Sequence, residues 1–293
     1  MNYRHAFHAG NFADVFKHAI LARILLHLGE KPQAFRVIDT HAGAGRYDLS
    51  GEEARRTGEW HRGVRRLVEA KIEPPLGEFL APYLGAVARA NPDGLRVYPG
   101  SPLLALGLMR PKDRLIACEL EPSAAAALAE NLARDRRAKA VAIDGWVALN
   151  AYVPPRERRG LVLVDPPFEQ RDDFFRLAER VAQAWRKWPT GIYALWYPIK
   201  DRAGPDLLAD GLVRSGVPKV LRAEIALPAG HPADDPAGEP GGEPGGLNEC
   251  GFVVINPPWR LAGELERMLP RLAAVLAAGR PGHWRLDWLA GEK

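Results

Sequence analysis

Residues 161–168 read Leu161-Val162-Leu163-Val164-Asp165-Pro166-Pro167-Phe168. The uninterrupted apolar run predicts a strand buried on both faces, as inside a parallel sheet. The strand ends on a carboxylate, two prolines without backbone N–H groups follow, and an aromatic ring closes the turn. Such a turn suits an exocyclic amine on a flat heteroaromatic base, whose lone pair is delocalised into the ring and poorly nucleophilic. Acceptors around its two N–H bonds, here Asp165 and the Pro166 carbonyl, favour a pyramidal nitrogen and stabilise positive charge as a methyl group arrives. Phe168 is expected to stack on the base. The plainer reading is a strand closed by a rigid proline turn.

Working outward, Ala34 to Thr40 reads as another strand, followed by His41-Ala42-Gly43-Ala44-Gly45. A strand ending near an acid and then glycines is the opening of a nucleotide-binding α/β unit. Two glycines alone are a weak motif, since any tight turn favours them. The next strand with an acid at its tip is Leu115 to Leu120, where Glu119 suits a ribose diol. Glu119 lies 74 residues beyond Gly45, against about 20 in a simple unit. An insertion is therefore predicted at Gly51 to Val97, with helical patterning around Gly63 to Ala70 and Leu76 to Ala90. Ser101 is expected to cap a helix running through Met109. Further strands are predicted at Ala140 to Ile143, Ile192 to Trp196, Val220 to Leu227, Phe252 to Ile255 and Trp284 to Leu289, most of them separated by helices. The expected fold is α/β, a doubly wound and mostly parallel Rossmann-like sheet with a small helical insertion. Its parts are an N-terminal segment at 1–50, the insertion at 51–97, and the remainder at 98–293 with a mobile loop at 229–246.

Ligands of open α/β sheets bind at the carboxyl ends of the strands. In chain order those ends offer Gly43 and Gly45, then Glu119, then Asp144 with Gly145, then Asp165. This is the order of an S-adenosylmethionine site: glycine turn for the methionine part, acid for the ribose, polar residue for the cofactor adenine, then the chemistry. Each acid alone could merely cap a helix. A second turn, Asn256-Pro257-Pro258-Trp259, satisfies the loose amine-methylation pattern but lacks the carboxylate and lies toward the expected sheet edge, so it is assigned to structure.

The rest of the chain bounds the partners. Its 293 residues are 47% hydrophobic, enough for a packed core, and its pI is about 9.1. Basic residues cluster at Arg55, Arg56, His61, Arg62, Arg65 and Arg66, at Arg134 to Lys139, and at Arg156 to Arg159. Three clusters favour a nucleic-acid partner, although a solvated face explains any one of them. Cys118 and Cys250 read as buried reduced thiols. No apolar run is long enough for a membrane span, and a cytoplasmic protein is expected. The histidines follow no metal-ligand spacing. The segment Asp14 to Leu28 has apolar residues on one helical face, with Asn11 as cap, and the aromatic stretch before it is expected to be ordered.

On Tyr3-Arg4-His5, Phe7 to Asn11, Ala13 to Val15, Lys17-His18, Asp39 to Tyr47, Tyr98 to Leu103, Arg158 to Pro167, Gly191 to Pro198 and Val254 to Trp259, the chain closely resembles the RlmJ family of bacterial large-subunit ribosomal RNA adenine-N6 methyltransferases. The resemblance implies a monomer that methylates one adenine of 23S ribosomal RNA, preferring deproteinised RNA, with S-adenosylmethionine as donor. It implies Asp165 as catalytic acceptor, with Pro166 and Phe168 completing the turn. Cofactor contacts are implied at His18, His41, Ser101, Glu119, Asp144, Gly145 and Asp165, beside the glycine turn of Gly43 and Gly45. Tyr3, His5 and Lys17 are implied on the substrate side, where the insert arginines Arg62, Arg65 and Arg66 are also expected. The family's turn ends in Tyr where this chain has Phe168, which keeps stacking and removes a hydroxyl. The loop at 229–246 is longer than in the family. The chemistry of the turn alone would also fit a DNA adenine or protein glutamine methyltransferase.

Overall fold

The computed structural model describes residues 4–228 and 247–291. Tyr3 and the loop at 229–246 lie outside the described residues. An eight-stranded sheet forms from β1 (Arg36–Asp39), β4 (Arg114–Glu119), β5 (Ala138–Ala142), β6 (Gly160–Val164), β7 (Ile192–Pro198), β8 (Val220–Ala226), β9 (Glu249–Ile255) and β10 (His283–Ala290). Its order is β10-β8-β9-β7-β6-β1-β4-β5. Pairing is parallel from β5 through β7 and antiparallel at β7–β9, β8–β9 and β8–β10. The chain winds from β1 outward through β4 and β5, then returns to β6 on the other side of β1, which leaves a crevice at the carboxyl ends of β1 and its neighbours.

Alternate residues of the central strands enter two cores. Leu161 and Leu163 of β6 join one apolar cluster, Val162 and Val164 the other. On the first face lie α1 (Phe12–Glu30), α5 (Ser101–Leu108), α6 (Pro122–Leu132) and α10 (Leu261–Leu276); on the second lie α7 (Gly145–Ala151), α8 (Asp173–Lys187) and α9 (Ala203–Arg214). Both cysteines are buried and free.

Three sequence expectations are corrected. The helix α1 starts as predicted, with Asn11 Oδ1 accepting from the Asp14 amide at 2.9 Å, but it is not buried on one face only. Apolar and charged residues alike are enclosed from Phe12 to Leu25 on every side but Arg23, because α4 (Pro74–Arg89), α5 and α10 all pack on it. Ser101 caps no helix; Gly100 holds the cap position of α5, and the Ser101 hydroxyl donates to Asp39 Oδ2 at 2.6 Å. The strand β9, which leads into Asn256, lies between β7 and β8 and not at the sheet edge.

The insertion is helical as expected, with α2 (Glu52–Thr57), a 3-10 turn at Glu59–Arg62, α3 (Val64–Glu69) and α4. A feature the pattern did not show is a short ribbon that pins its two ends together, β2 (Arg46–Asp48) against β3 (Val97–Pro99). These strands have only three residues each, too few for a readable alternation.

Candidate active site

The carboxyl ends of the parallel strands wall a cavity of about 1120 Å³. Gly43, Glu119, Asp144, Gly145, Asp165, Pro166 and Phe168 line it, as do His18, His41 and Ser101 from the predicted cofactor set. His5, Lys17 and Arg62 also reach the wall. Gly45 is not a lining residue; its φ of +75° serves the turn. Arg65 and Arg66 stand away from the wall: Arg65 pairs with Glu69 at 2.7 Å, and Arg66 donates to the Leu276 carbonyl at the end of α10.

At the ends of β1, β4 and β5 each group is held by local geometry. The Glu119 carboxylate accepts from the Gly43 amide at 2.8 Å and from the amides of Leu120 and Glu121 at 2.8 and 2.9 Å. It thus ties the end of β4 to the glycine turn. Asp144 caps α7 through Oδ1, which accepts from Trp146 and Val147 at 2.7 and 3.2 Å. Gly145 must be glycine because a Cβ there would stand 2.3 Å from the Thr40 carbonyl oxygen and 2.5 Å from His41 Nε2. Burial lowers His41 to about 4 despite nearby Asp165 and Asp144, so the ring is neutral. The Thr40 hydroxyl donates to the Leu163 carbonyl at 2.9 Å and contacts His41 Nδ1 at 2.8 Å. With its single proton so engaged, the hydroxyl accepts from Nδ1–H, and His41 Nε2 is left as an acceptor.

On the other side, Lys17 Nζ lies 2.6 Å from Asp165 Oδ2 and 2.8 Å from Asp14 Oδ1. Burial opposes the ammonium, yet the two carboxylates hold its pKa well above the ordinary lysine value. Asp14 also accepts from His5 Nε2 at 3.0 Å and from the Gly10 amide at 2.9 Å, which ties the residues just before α1 to the helix. Burial would raise Asp14, but His5 and Lys17 take it well below the ordinary carboxylate value. Asp165 Oδ1 enters none of these bonds. Phe168 is half-buried with φ +50°, a conformation that is uncommon outside glycine and concentrates at functional sites. Its ring packs 4.7 Å from Phe174 and 6.0 Å from Trp196.

Asp14, Thr40, Trp146, Arg176 and Trp196 also line the cavity, and no sequence motif marks them as site residues. Asp14 and Lys17 carried one usable signal: two opposite charges three residues apart in the otherwise apolar first six residues of α1. Among the described residues no cluster of metal-ligating side chains occurs. The Asn256 turn is structural. Because β9 runs against β7, Asn256 emerges at the opposite end of the sheet from Asp165, and its Nδ2 donates to the carbonyls of Pro189 and Gly191 at 2.7 and 2.8 Å.

Comparison with known proteins shows the family. A family model described as "Ribosomal RNA large subunit methyltransferase D, RlmJ" matches residues 32–290. The "Ribosomal RNA large subunit methyltransferase J" of Escherichia coli strain K12 is 39% identical over the full length of both chains. The Haemophilus influenzae protein of the same name is 37% identical, again over both full lengths. A crystal structure of a Legionella pneumophila protein shares 29% identity with a TM-score of 0.83, covering 96% of this chain and 98% of that one. The chain therefore belongs to the RlmJ family of ribosomal RNA large subunit methyltransferases.

Proposed function

We propose that the protein transfers a methyl group from S-adenosylmethionine to N6 of a flipped-out adenine in 23S ribosomal RNA. The observation that carries this reading is the meeting, in one cavity, of the Asp165-Pro166-Pro167-Phe168 turn with the Gly43, Glu119 and Asp144 ends of three other strands. The residues fit the donor. His18 Nε2 is a buried nitrogen without a protein partner on the cavity wall, and the close approach at Gly145 leaves no room for a larger residue. Glu119 would hold the ribose hydroxyls, Asp144 the cofactor adenine, and His18, Ser101 and the Gly43 turn the methionine end. Bound there, the donor supplies an electrophilic methyl group on a sulfonium.

This chain's own groups would do the rest. Lys17 engages Asp165 Oδ2 and orients the carboxylate, so that Oδ1 and the Pro166 carbonyl can accept the N–H bonds of the target amine. Hydrogen-bond acceptors fixed in advance around a developing positive charge need no rearrangement as the charge forms. Phe168, braced by Phe174 and Trp196, offers a stacking face. Unstacking a base costs on the order of a few kcal/mol, and cations at the cavity, Arg4, Arg56, Arg62, Arg176 and Lys200, would offset it through phosphate contacts. A monomer acting on deproteinised RNA in the cytoplasm is part of the proposal.

The test is transfer of labelled methyl groups to free 23S RNA, duplex DNA and protein, followed by mapping of the labelled nucleotide. Label confined to an adenine N6 of 23S RNA is expected, and Asp165→Ala should abolish it while leaving the fold intact. Preferred labelling of DNA or protein, or full turnover by Asp165→Ala, would overturn the reading.

A further inference from the structure

His18 of α1 is buried, and beneath it two tyrosines run back into the insertion. His18 Nδ1 lies 2.7 Å from the Tyr98 hydroxyl, and that hydroxyl lies 3.3 Å from the hydroxyl of Tyr83 on α4. Both tyrosines are fully buried, and no further hydrogen bond of either hydroxyl is found among the described residues. His18 Nε2, at the other corner of the ring, is buried and has no protein partner. The imidazole is neutral, since burial and the neighbouring Lys17 ammonium push it down to about 3.

The network holds three protons and can order them as an unbroken relay in two ways. In the first, His18 Nδ1–H donates to Tyr98, Tyr98 donates to Tyr83, and the Tyr83 O–H has no acceptor among the described residues. In the second, Tyr83 donates to Tyr98 and Tyr98 donates to Nδ1. Every buried hydroxyl then has an acceptor, and the one unpaired donor is Nε2–H, on a ring that lines the cavity. A donor buried without an acceptor is costly, so the second order prevails: the residue left with the unpaired donor lines the cavity, where a ligand can pair it, and Tyr83 does not.

We infer that Tyr98, with Tyr83 behind it, is a positioning residue that holds His18 as the Nε2–H tautomer, a neutral hydrogen-bond donor for the carboxylate of the methyl donor. The ligand half of this inference rests on the S-adenosylmethionine reading above; the tautomer half does not. It also gives the two cavity histidines opposite roles, since His18 donates through Nε2 whereas His41 accepts. A carboxylate requires the donor, and His41 cannot replace it. The control runs from the insertion, through β3, to the cofactor side of the cavity.

The experiment is nitrogen NMR of the protein with 15N-labelled histidine, without ligand and with S-adenosylhomocysteine, together with calorimetric titration of that ligand. In the wild-type protein His18 Nε2 should show the protonated and Nδ1 the unprotonated pattern, and ligand should move Nε2. Tyr98→Phe should give a mixture of tautomers in the free protein and weaken binding about threefold or more. Tyr83→Phe leaves Tyr98 free to donate to Nδ1, so it should keep the wild-type tautomer and change affinity less than about twofold. A protonated Nδ1 in the wild type would overturn the inference, as would a Tyr98→Phe variant with unchanged tautomer and affinity. A protein with the expected tautomer that fails to bind S-adenosylhomocysteine would overturn the ligand assignment and the methyl-donor reading, and leave the tautomer standing.

Discussion

Replacing Lys17 by Met removes a cation from between two carboxylates. The side chain is only 5% exposed, with Nζ at 2.8 Å from Asp14 and 2.6 Å from Asp165. Breaking a buried ion pair by deleting one partner costs about 3–5 kcal/mol, because a charge is left uncompensated. Here the two stranded groups differ. Asp14 keeps His5 and the Gly10 amide, whereas Asp165 loses its cation but is 16% exposed and lines the cavity, so water can replace part of the loss. The low end, about 3 kcal/mol, is therefore expected at neutral pH. Urea unfolding should show it as a lower midpoint at unchanged slope. The double variant Lys17→Met with Asp165→Asn removes the stranded charge as well and should recover about 1 kcal/mol or more relative to additivity. Lys17→Met within about 0.5 kcal/mol of wild type, or strict additivity in the double variant, would refute the coupling.

Other perturbations separate cavity, turn and core. Gly145→Ala should weaken S-adenosylhomocysteine binding at least about tenfold and cost about 1–3 kcal/mol in an unfolding titration, since its Cβ would meet the Thr40 carbonyl oxygen and His41 Nε2. Asn256→Ala removes two hydrogen bonds and places alanine at φ +53°; stability should fall by about 2 kcal/mol, with methyl transfer within about twofold of wild type. Burial raises the Asp39 carboxyl to about 7 even though Ser101 and Lys17 oppose it. Its folded-state pKa thus lies above the ordinary value of 3.8, so its contribution to stability is full below that value and is lost as pH rises through about 7. Asp39→Asn should remove that dependence, and its melting temperature should gain on wild type between about pH 5 and about pH 8; an unchanged difference between the two pH values would contradict it.

Much of the sheet was legible because its strands are continuous apolar runs punctuated by turn chemistry, as at Leu161 to Val164 with Asp165 and Pro166 beyond. Glu119, Asp144 and Asp165 were legible as residues of the cavity wall for the same reason: an acid ending a buried strand falls at the sheet's carboxyl edge whatever else the chain does. The ribbon of Arg46–Asp48 and Val97–Pro99 was hidden, since a three-residue strand has no periodicity of its own. The burial of α1 all round was hidden as well, since it depends on where α4 and α10 come to rest.

The sequence by itself determined the alternating α/β architecture and the chain order of glycine turn, Glu119, Asp144 and the Asp165 turn at the strand ends, because those follow from local patterning. Only the tertiary structure decided that Lys17 sits on Asp165, that Ser101 serves Asp39 and not a helix end, and that Arg62 reaches the cavity while Arg66 holds α10. It also decided between the two proline turns by a stronger argument than charge, since an antiparallel β9 carries Asn256 to the far end of the sheet. The physical reason is common to all of these: hydrogen bonds and ion pairs between groups distant in sequence depend on strand direction and helix packing, and neither is encoded in the spacing of residues along one segment.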